Sequence, residues 1–286
     1  MKLSSLDKVL EDSMSFLSSL YEKKINIGIS IGDPNGIGIE IILKALSESN
    51  FHEECNFLIY SSLDLIVKQK DLLKIKTLPL KKIHSVDEIE SDHINIKEVF
   101  SNSKFEFGKK DKEVSARGII SFKEAVNDAV KREIDVLISA PINKELAYSN
   151  TFKFSGHTDY LKNTLKNDPM MLMVSDNLKL GLLTEHIPIK DVVKEITTKK
   201  VIKKIKTLRE TLIKDFAIRE PKIAILAINP HVGDNGVIGN EDQERLLPAI
   251  AAINNGNNLI YGPFSADTFF CNENFKKYDG ILAAYH

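Results

Sequence analysis

The sequence predicts an α/β protein built on parallel sheets, and three observations predict it. Short apolar runs alternate with stretches of helical periodicity along most of the chain. Several of those runs are near-continuous hydrophobics, the pattern of strands covered by helices on both faces. With 286 residues, 43% of them hydrophobic, the chain is long enough for one large or two ordinary domains and too apolar for intrinsic disorder. The charge balance narrows the function classes. Thirty-nine basic residues against 40 acidic ones leave a net charge of −1, without the basic excess of a dedicated nucleic-acid binder. Two cysteines, Cys55 and Cys271, argue against a disulfide scaffold and fit a reducing cytoplasm. No apolar run reaches the roughly 18 residues that span a bilayer, so no membrane partner is expected.

Taken in order, residues 1–24 carry Leu3, Leu6, Val9, Leu10, Leu17, Leu20 and Tyr21 at the spacing of an amphipathic helix. Asp7, Glu11 and Asp12, with no Arg, speak against a transit peptide. The expected strands are Ile25–Ile31, Phe57–Tyr60, Val136–Ser139, Met171–Val174, Leu178–Leu183, Ile223–Ile228, Leu259–Tyr261 and Ile281–Tyr285. Helical patterns cover Gly38–Leu46, Ile119–Lys131, Thr158–Lys166, Val192–Asp215 and Glu241–Asn254. Met171–Val174 and Leu178–Leu183 read as a hairpin across Ser175-Asp176-Asn177. The Lys-rich stretch 199–206 reads as a solvated helix face, with a phosphate-binding role as the minor alternative. The expected partition is an N-terminal extension over 1–24, a first α/β domain from 25–130 plus 255–286, and a second from 131–254.

Four constellations carry possible chemistry. Gly32-Asp33-Pro34-Asn35-Gly36-Ile37-Gly38 joins a strand to a helix start. Its glycines suit either an anion at the helix N-terminus or simply a tight turn, and it is neither a Walker A loop nor a GxGxxG fingerprint. His186, His231 and His286 each follow an apolar strand, 45 and 55 residues apart. Open α/β sheets bind ligands beyond the carboxyl ends of their strands, so three imidazoles there suit one divalent cation; unrelated loop histidines would leave the same pattern. Gly156-His157-Thr158 leads into a helix, with Thr158 a candidate N-cap. Asp267 stands just past a strand, as a general base, a charge partner or a helix cap.

Together, Gly32–Gly38, Ala140-Pro141-Ile142-Asn143-Lys144, Ser155-Gly156-His157-Thr158-Asp159, Asn229-Pro230-His231-Val232-Gly233-Asp234-Asn235-Gly236, Ala266-Asp267-Thr268 and Tyr285-His286 resemble, in order, the 4-hydroxythreonine-4-phosphate dehydrogenase family of vitamin B6 biosynthesis. The resemblance runs from about Ile25 to the last residue. It implies two α/β/α domains of the isocitrate/isopropylmalate dehydrogenase type, a homodimer with its site at the interface, and NAD (or NADP) bound without the usual Rossmann fingerprint, so that no cofactor-binding residue is assigned. It implies oxidation and decarboxylation of 4-phosphohydroxy-L-threonine to 3-amino-2-oxopropyl phosphate. Carried over by position, it makes His186, His231 and His286 ligands of a divalent metal (Zn, Co, Mn or Mg) shared across the dimer interface, His157 and Thr158 substrate contacts, and Asp267 the family's aspartate close to the substrate, which with the metal forms the expected catalytic pair.

The sequence departs from the family pattern in places. Ile39 replaces a Pro, Glu185 replaces the Thr that commonly precedes the metal histidine, Ala227 replaces a Gly, and Asn150 and Ser155 replace a Gly and a Pro. In the family an Asp-Gln-Gly and several dozen further residues follow the Tyr-His pair and supply a Lys, an Asn and an Arg to the substrate; the resemblance implies that this chain lacks them. The alternatives to the named activity are a related dehydrogenase of a phosphorylated four-carbon sugar acid, such as erythronate or threonate 4-phosphate, and a truncated, non-catalytic metal-binding chain.

Overall fold

In the first of two compact units, residues 1–167, a five-stranded parallel sheet lies between helices. The computed structural model describes residues 24–48, 51–101, 103–147, 152–154, 156–166, 169–254 and 259–286, and the helix expected over 1–24 lies outside these except for Lys24. The first unit runs β1 (Ile25–Ser30), α1 (Gly38–Glu48), β2 (Cys55–Ser61), α2 (Leu63–Leu72), β3 (Leu80–Ile83), β4 (Ile94–Glu98), α3 (Lys112–Val130), β5 (Val136–Ser139), α4 (Lys144–Ala147) and α5 (His157–Leu165). The strand order is β3-β4-β2-β1-β5.

Alternation along β2 explains why this sheet is covered on both faces. Phe57 and Ile59 enter one apolar cluster with Ile29, Leu43, Leu65 and Ile94, while Leu58 and Tyr60 enter another with Ile83, Ala125 and Ile134. The second cluster buries a polar network. The Tyr60 hydroxyl donates to the Asp128 carboxylate at 2.8 Å, and Lys97 donates to the same oxygen at 2.6 Å, so the buried charge is paired.

Helix α3 starts where Asp111 accepts from the backbone N–H groups of Glu113 and Val114. It then packs tightly on the glycine-rich turn. A Cβ at Gly118 would lie 2.2 Å from the Gly32 carbonyl oxygen, and Gly32 itself has φ +67. Gly118→Ala is therefore expected to destabilise the unit by about 1–3 kcal/mol through overpacking, despite the better helix propensity of Ala. Denaturant unfolding measures it.

The second unit, residues 168–286, contains β6 (Leu172–Ser175), β7 (Leu178–Leu182), α6 (Ile189–Glu195), α7 (Thr198–Lys214), β8 (Ile223–Leu226), α8 (Leu247–Ile253), β9 (Ile260–Phe264), α9 (Ala266–Phe269) and β10 (Gly280–Ala283). The order is β6-β7-β10-β8-β9. Strands β7, β10, β8 and β9 are parallel, and β6 is antiparallel to β7 across the hairpin turn at Asp176-Asn177. Ile223, Ile225 and Leu282 face the stripe Val201, Ile205, Leu208 and Leu212 of α7 together with Ala249 and Ile250 of α8; Ala224, Leu226, Ile281 and Ala283 face Phe269 and Tyr278.

Three expectations need correction. The partition differs because β5 pairs with β1 and β10 inserts between β7 and β8; residues 131–167 thus belong to the first unit and 255–286 to the second. The expected helix Val192–Asp215 is two helices, broken at the β-branched run Ile196-Thr197-Thr198, where Ile196 is extended and the Thr197 hydroxyl caps α7 by accepting from Lys200 N. The expected helix Glu241–Asn254 opens with a π-turn over Asp242–Leu246 before α8 begins.

Candidate functional site

The sheet order of the second unit gives the site its logic. Strands β7, β10, β8 and β9 are consecutive neighbours and run the same way, so the residues after them emerge at one edge of the sheet. His186 stands four residues after β7, His286 three after β10, His231 five after β8 and Asp267 three after β9. Residues far apart in sequence thus come to the same edge of the sheet through the topology.

The ladder between β7 and β10 continues past the strands toward the histidines. Leu183 N donates to Ala283 O at 2.8 Å, Thr184 N to Ala284 O at 3.1 Å, and the Thr184 hydroxyl to that same carbonyl at 2.7 Å. His186 and His286 end up with ring centroids 6.0 Å apart and nearly perpendicular. Two imidazoles that share one tetrahedral cation, each bound through nitrogen at about 2.0–2.1 Å, bring their centroids to about 5 Å, so this pair is spread slightly wider than that. Beside them lies a cavity of about 380 Å³ lined by Thr184, Glu185, Ile187 and Tyr285 among others.

His231 is delivered differently. The buried Asp242 carboxylate accepts from Ile228 N at 2.7 Å, from Asn229 N at 3.1 Å and from the Asn229 side-chain amide at 3.0 Å, which fixes the chain just before the histidine. From His231 to Asn235 five successive residues adopt left-handed φ between 46° and 78°, a conformation that costs a β-branched residue such as Val232. Gly233 is required there, since a Cβ would lie 2.2 Å from Gly239 O.

His231 faces the carboxylate after the next strand, with Nδ1 3.9 Å from Asp267 Oδ2. The Ser265 hydroxyl donates to the other Asp267 oxygen at 2.5 Å. This bond, more than the nearby His231, holds the Asp267 carboxyl below its ordinary range, so it is ionised at neutral pH. The structure therefore joins the predicted residues in two pairs, His186 with His286 and His231 with Asp267. Among the described residues it gathers no group of three or more His, Cys, Asp or Glu side chains tightly enough to hold a metal ion.

The other two predicted residues lie in the first unit. His157 is the first residue of α5, its ring tilted against Phe122 with centroids 4.3 Å apart, and its Nε2 is buried with no hydrogen-bond partner among the described residues. It lines a mostly apolar cavity of about 460 Å³ with Phe122, Val126, Leu137, Ser139 and Leu161. Thr158 follows it in the first turn. The N-cap is Gly156 rather than Thr158, because the glycine takes the extended flanking conformation and pushes the threonine inside the helix.

Burial, and secondly Lys144, push the His157 pKa below 6.5. The unfolded chain then binds a proton that the native state refuses, so this group costs stability as pH falls through 6.5 and costs nothing above it. A histidine-resolved NMR titration is expected to put the His157 midpoint below that of a solvated histidine, and Lys144→Ala should raise it.

The glycine-rich turn is occupied with structural work. Asn35 donates through its side-chain amide to Lys109 O, accepts from Glu106 N, and accepts from Gly108 N at its carbonyl. Gln69 donates to Pro34 O. Residues missed by sequence reading include Asp242, Ser265 and Lys204. Asp242 left a signal, the acidic pair Glu241-Asp242 shortly after His231; Ser265 left none beyond its position two residues before Asp267.

Comparisons with known proteins come to the same end of the problem. The family model described as pyridoxal phosphate biosynthetic protein PdxA matches residues 53–286. A 4-hydroxythreonine-4-phosphate dehydrogenase of Bacteroides thetaiotaomicron is 34% identical over 270 residues, covering 93% of this chain and 74% of the relative. One of Sulfurihydrogenibium sp. is 35% identical over 263 residues, covering 92% and 80%. The crystal structure of a 4-hydroxythreonine-4-phosphate dehydrogenase from Burkholderia phymatum superposes with a TM-score of 0.80 at 27% identity, covering 92% of this chain and 81% of that one. Among the described residues no helix is long and apolar enough to cross a membrane.

Proposed function

The chain belongs to the pyridoxal phosphate biosynthetic protein PdxA family, with the isocitrate/isopropylmalate dehydrogenase-like fold, and from that premise we propose that it is an NAD-dependent dehydrogenase of 4-phosphohydroxy-L-threonine. The observation that carries the reading is the delivery of His186, His286, His231 and Asp267 by four neighbouring parallel strands to one edge of one sheet. Relatives that bear the name of this activity support it.

In the reaction the substrate's secondary alcohol loses hydride from carbon to the nicotinamide and its proton to a base. The resulting β-keto acid then releases CO2 to give 3-amino-2-oxopropyl phosphate. Asp267 is ionised, exposed and aligned by Ser265, so it can take up the hydroxyl proton directly. His157, kept neutral by burial, keeps one ring nitrogen as acceptor and one as donor, which suits a polar substrate contact with no charge of its own. Thr158 adds a hydroxyl beside it.

The donor set suits a divalent cation: three imidazoles and a neighbouring carboxylate are Zn, Co or Mn chemistry, with Mg also compatible. His186, His231 and His286 would hold it, and when bound it would supply Lewis acidity toward the substrate oxygen as negative charge develops there. The reading also includes a homodimer that completes the site at its interface, and a cytoplasmic location in keeping with two free cysteines.

The test is NADH formation by the purified chain with 4-phosphohydroxy-L-threonine, run beside erythronate and threonate 4-phosphates, with Zn, Co or Mn added. Turnover of the first with the highest kcat/KM supports the proposal. Preference for a sugar-acid phosphate moves the substrate, and no NADH with any of them overturns the dehydrogenase reading.

A further inference from the structure

One lysine of the 199–206 stretch does not face solvent. Lys204 is 2% exposed, and it falls three residues after Val201 and four before Leu208, on the buried stripe of α7. A lysine there keeps its charge only with partners that replace water. Its ammonium donates to Pro169 O at 2.8 Å and meets Glu185 Oε1 at 3.4 Å. The other Glu185 oxygen, Oε2, is buried with no hydrogen-bond partner among the described residues. Glu185 is therefore drawn inward rather than to solvent, and it is the residue directly before His186.

His186 itself has φ +54, a left-handed conformation that a non-glycine residue adopts at a cost. Something around it has to hold it there. On one side Thr184 is bonded twice to the Ala284 carbonyl, which fixes the separation of the two chain segments. On the other side the ion pair anchors residue 185 to α7.

We propose that Glu185 and Lys204 form a positioning pair that holds His186 in its left-handed conformation beside His286 and thereby raises the affinity of this end of the sheet for a divalent cation. The affinity half rests on the reading of His186 as a ligand; the conformational half does not. The pair touches no reacting atom. It acts through the backbone, as groups behind a ligand do when they orient it, and their loss typically weakens metal binding about 10–100-fold.

The experiment uses the full chain labelled with 13C,15N-histidine, in wild type, Glu185→Gln and the double variant Glu185→Leu/Lys204→Met. The double variant replaces the ion pair with apolar groups, and its thermal midpoint, read beside the shifts, separates positioning from folding. Two further quantities are read: the Cα and Cβ shifts of His186 in the metal-free protein, which report its backbone region, and the Kd for Co(II) from its absorption spectrum. Both variants are expected to move the His186 shifts out of the left-handed range and to weaken Co(II) binding about 10-fold or more. Lys204→Arg, which keeps the charge, is expected to restore most of both. Unchanged His186 shifts in both variants would overturn the proposal, as would altered shifts with a wild-type Co(II) Kd. A wild-type chain that takes up no Co(II) would instead overturn the ligand reading, and the shifts alone would then decide whether the pair positions His186.

Discussion

Replacing His231 with Ala is expected to lower cation-dependent NADH formation by about 100-fold or more, the size of effect that follows loss of a group stabilising developing charge on oxygen. The side chain is 66% exposed and its polar neighbour is the Asp267 carboxylate at 3.9 Å, so its removal takes away chemistry and little packing. The thermal midpoint should therefore stay within a few degrees of wild type while kcat/KM falls. Asp267 should lose little of its ionisation in the same variant, because the Ser265 hydroxyl contributes more to it than His231 does. Undiminished turnover by His231→Ala would remove His231 from the ligand set.

Replacing Asp242 with Ala is expected to produce the opposite signature, a large loss of stability that carries activity with it. Asp242 is fully buried and accepts from two backbone N–H groups and one side-chain amide. Those donors sit at the end of β8, where Ala offers them no acceptor. Each charge-assisted bond is worth about 1.5–3 kcal/mol, and donors left buried add their own desolvation, so a total of about 3–5 kcal/mol is expected. Denaturant unfolding reads that number. The left-handed segment His231–Asn235 begins two residues beyond these bonds, so amide exchange there should accelerate beyond the average of the unit. A variant with wild-type stability and exchange would show that the turn before His231 is held by something other than this carboxylate.

Much of the fold was legible because the strands of the two sheets are apolar runs. Val136–Ser139 and the hairpin of β6 and β7 follow directly from them. Strands β3 and β4 were not legible, since Lys81, Lys82, Asn95 and Lys97 interrupt the apolar pattern. Asn95 in particular is buried only because it donates to carbonyls of Phe57, Glu90 and His93. The partition of the chain was misread for a different reason. Nothing in the run Ile281–Tyr285 says that it inserts between β7 and β8, because neighbour order in a parallel sheet is set by long-range packing.

The candidate site was legible as a set of residues and illegible as a geometry. A histidine just past a strand marks the carboxyl edge of a sheet, and three of them mark it well. Which one meets which depends on the β7–β10–β8–β9 order and on the left-handed turns at His186 and His231, neither of which periodicity encodes. Lys204 is instructive in the other direction. Its place on the Val201–Leu208 stripe marked it as inward-facing, but the surrounding lysines masked that signal.

The central claim is that the carboxyl edge of the second sheet converges three histidines on one cation. X-ray absorption at the zinc edge of the reconstituted protein tests it most directly. The account predicts one zinc per chain, with three imidazole nitrogens at about 2.0–2.1 Å and one imidazole fewer in His231→Ala. Zinc bound without imidazole scattering, or with the same imidazole count in wild type and His231→Ala, would contradict it.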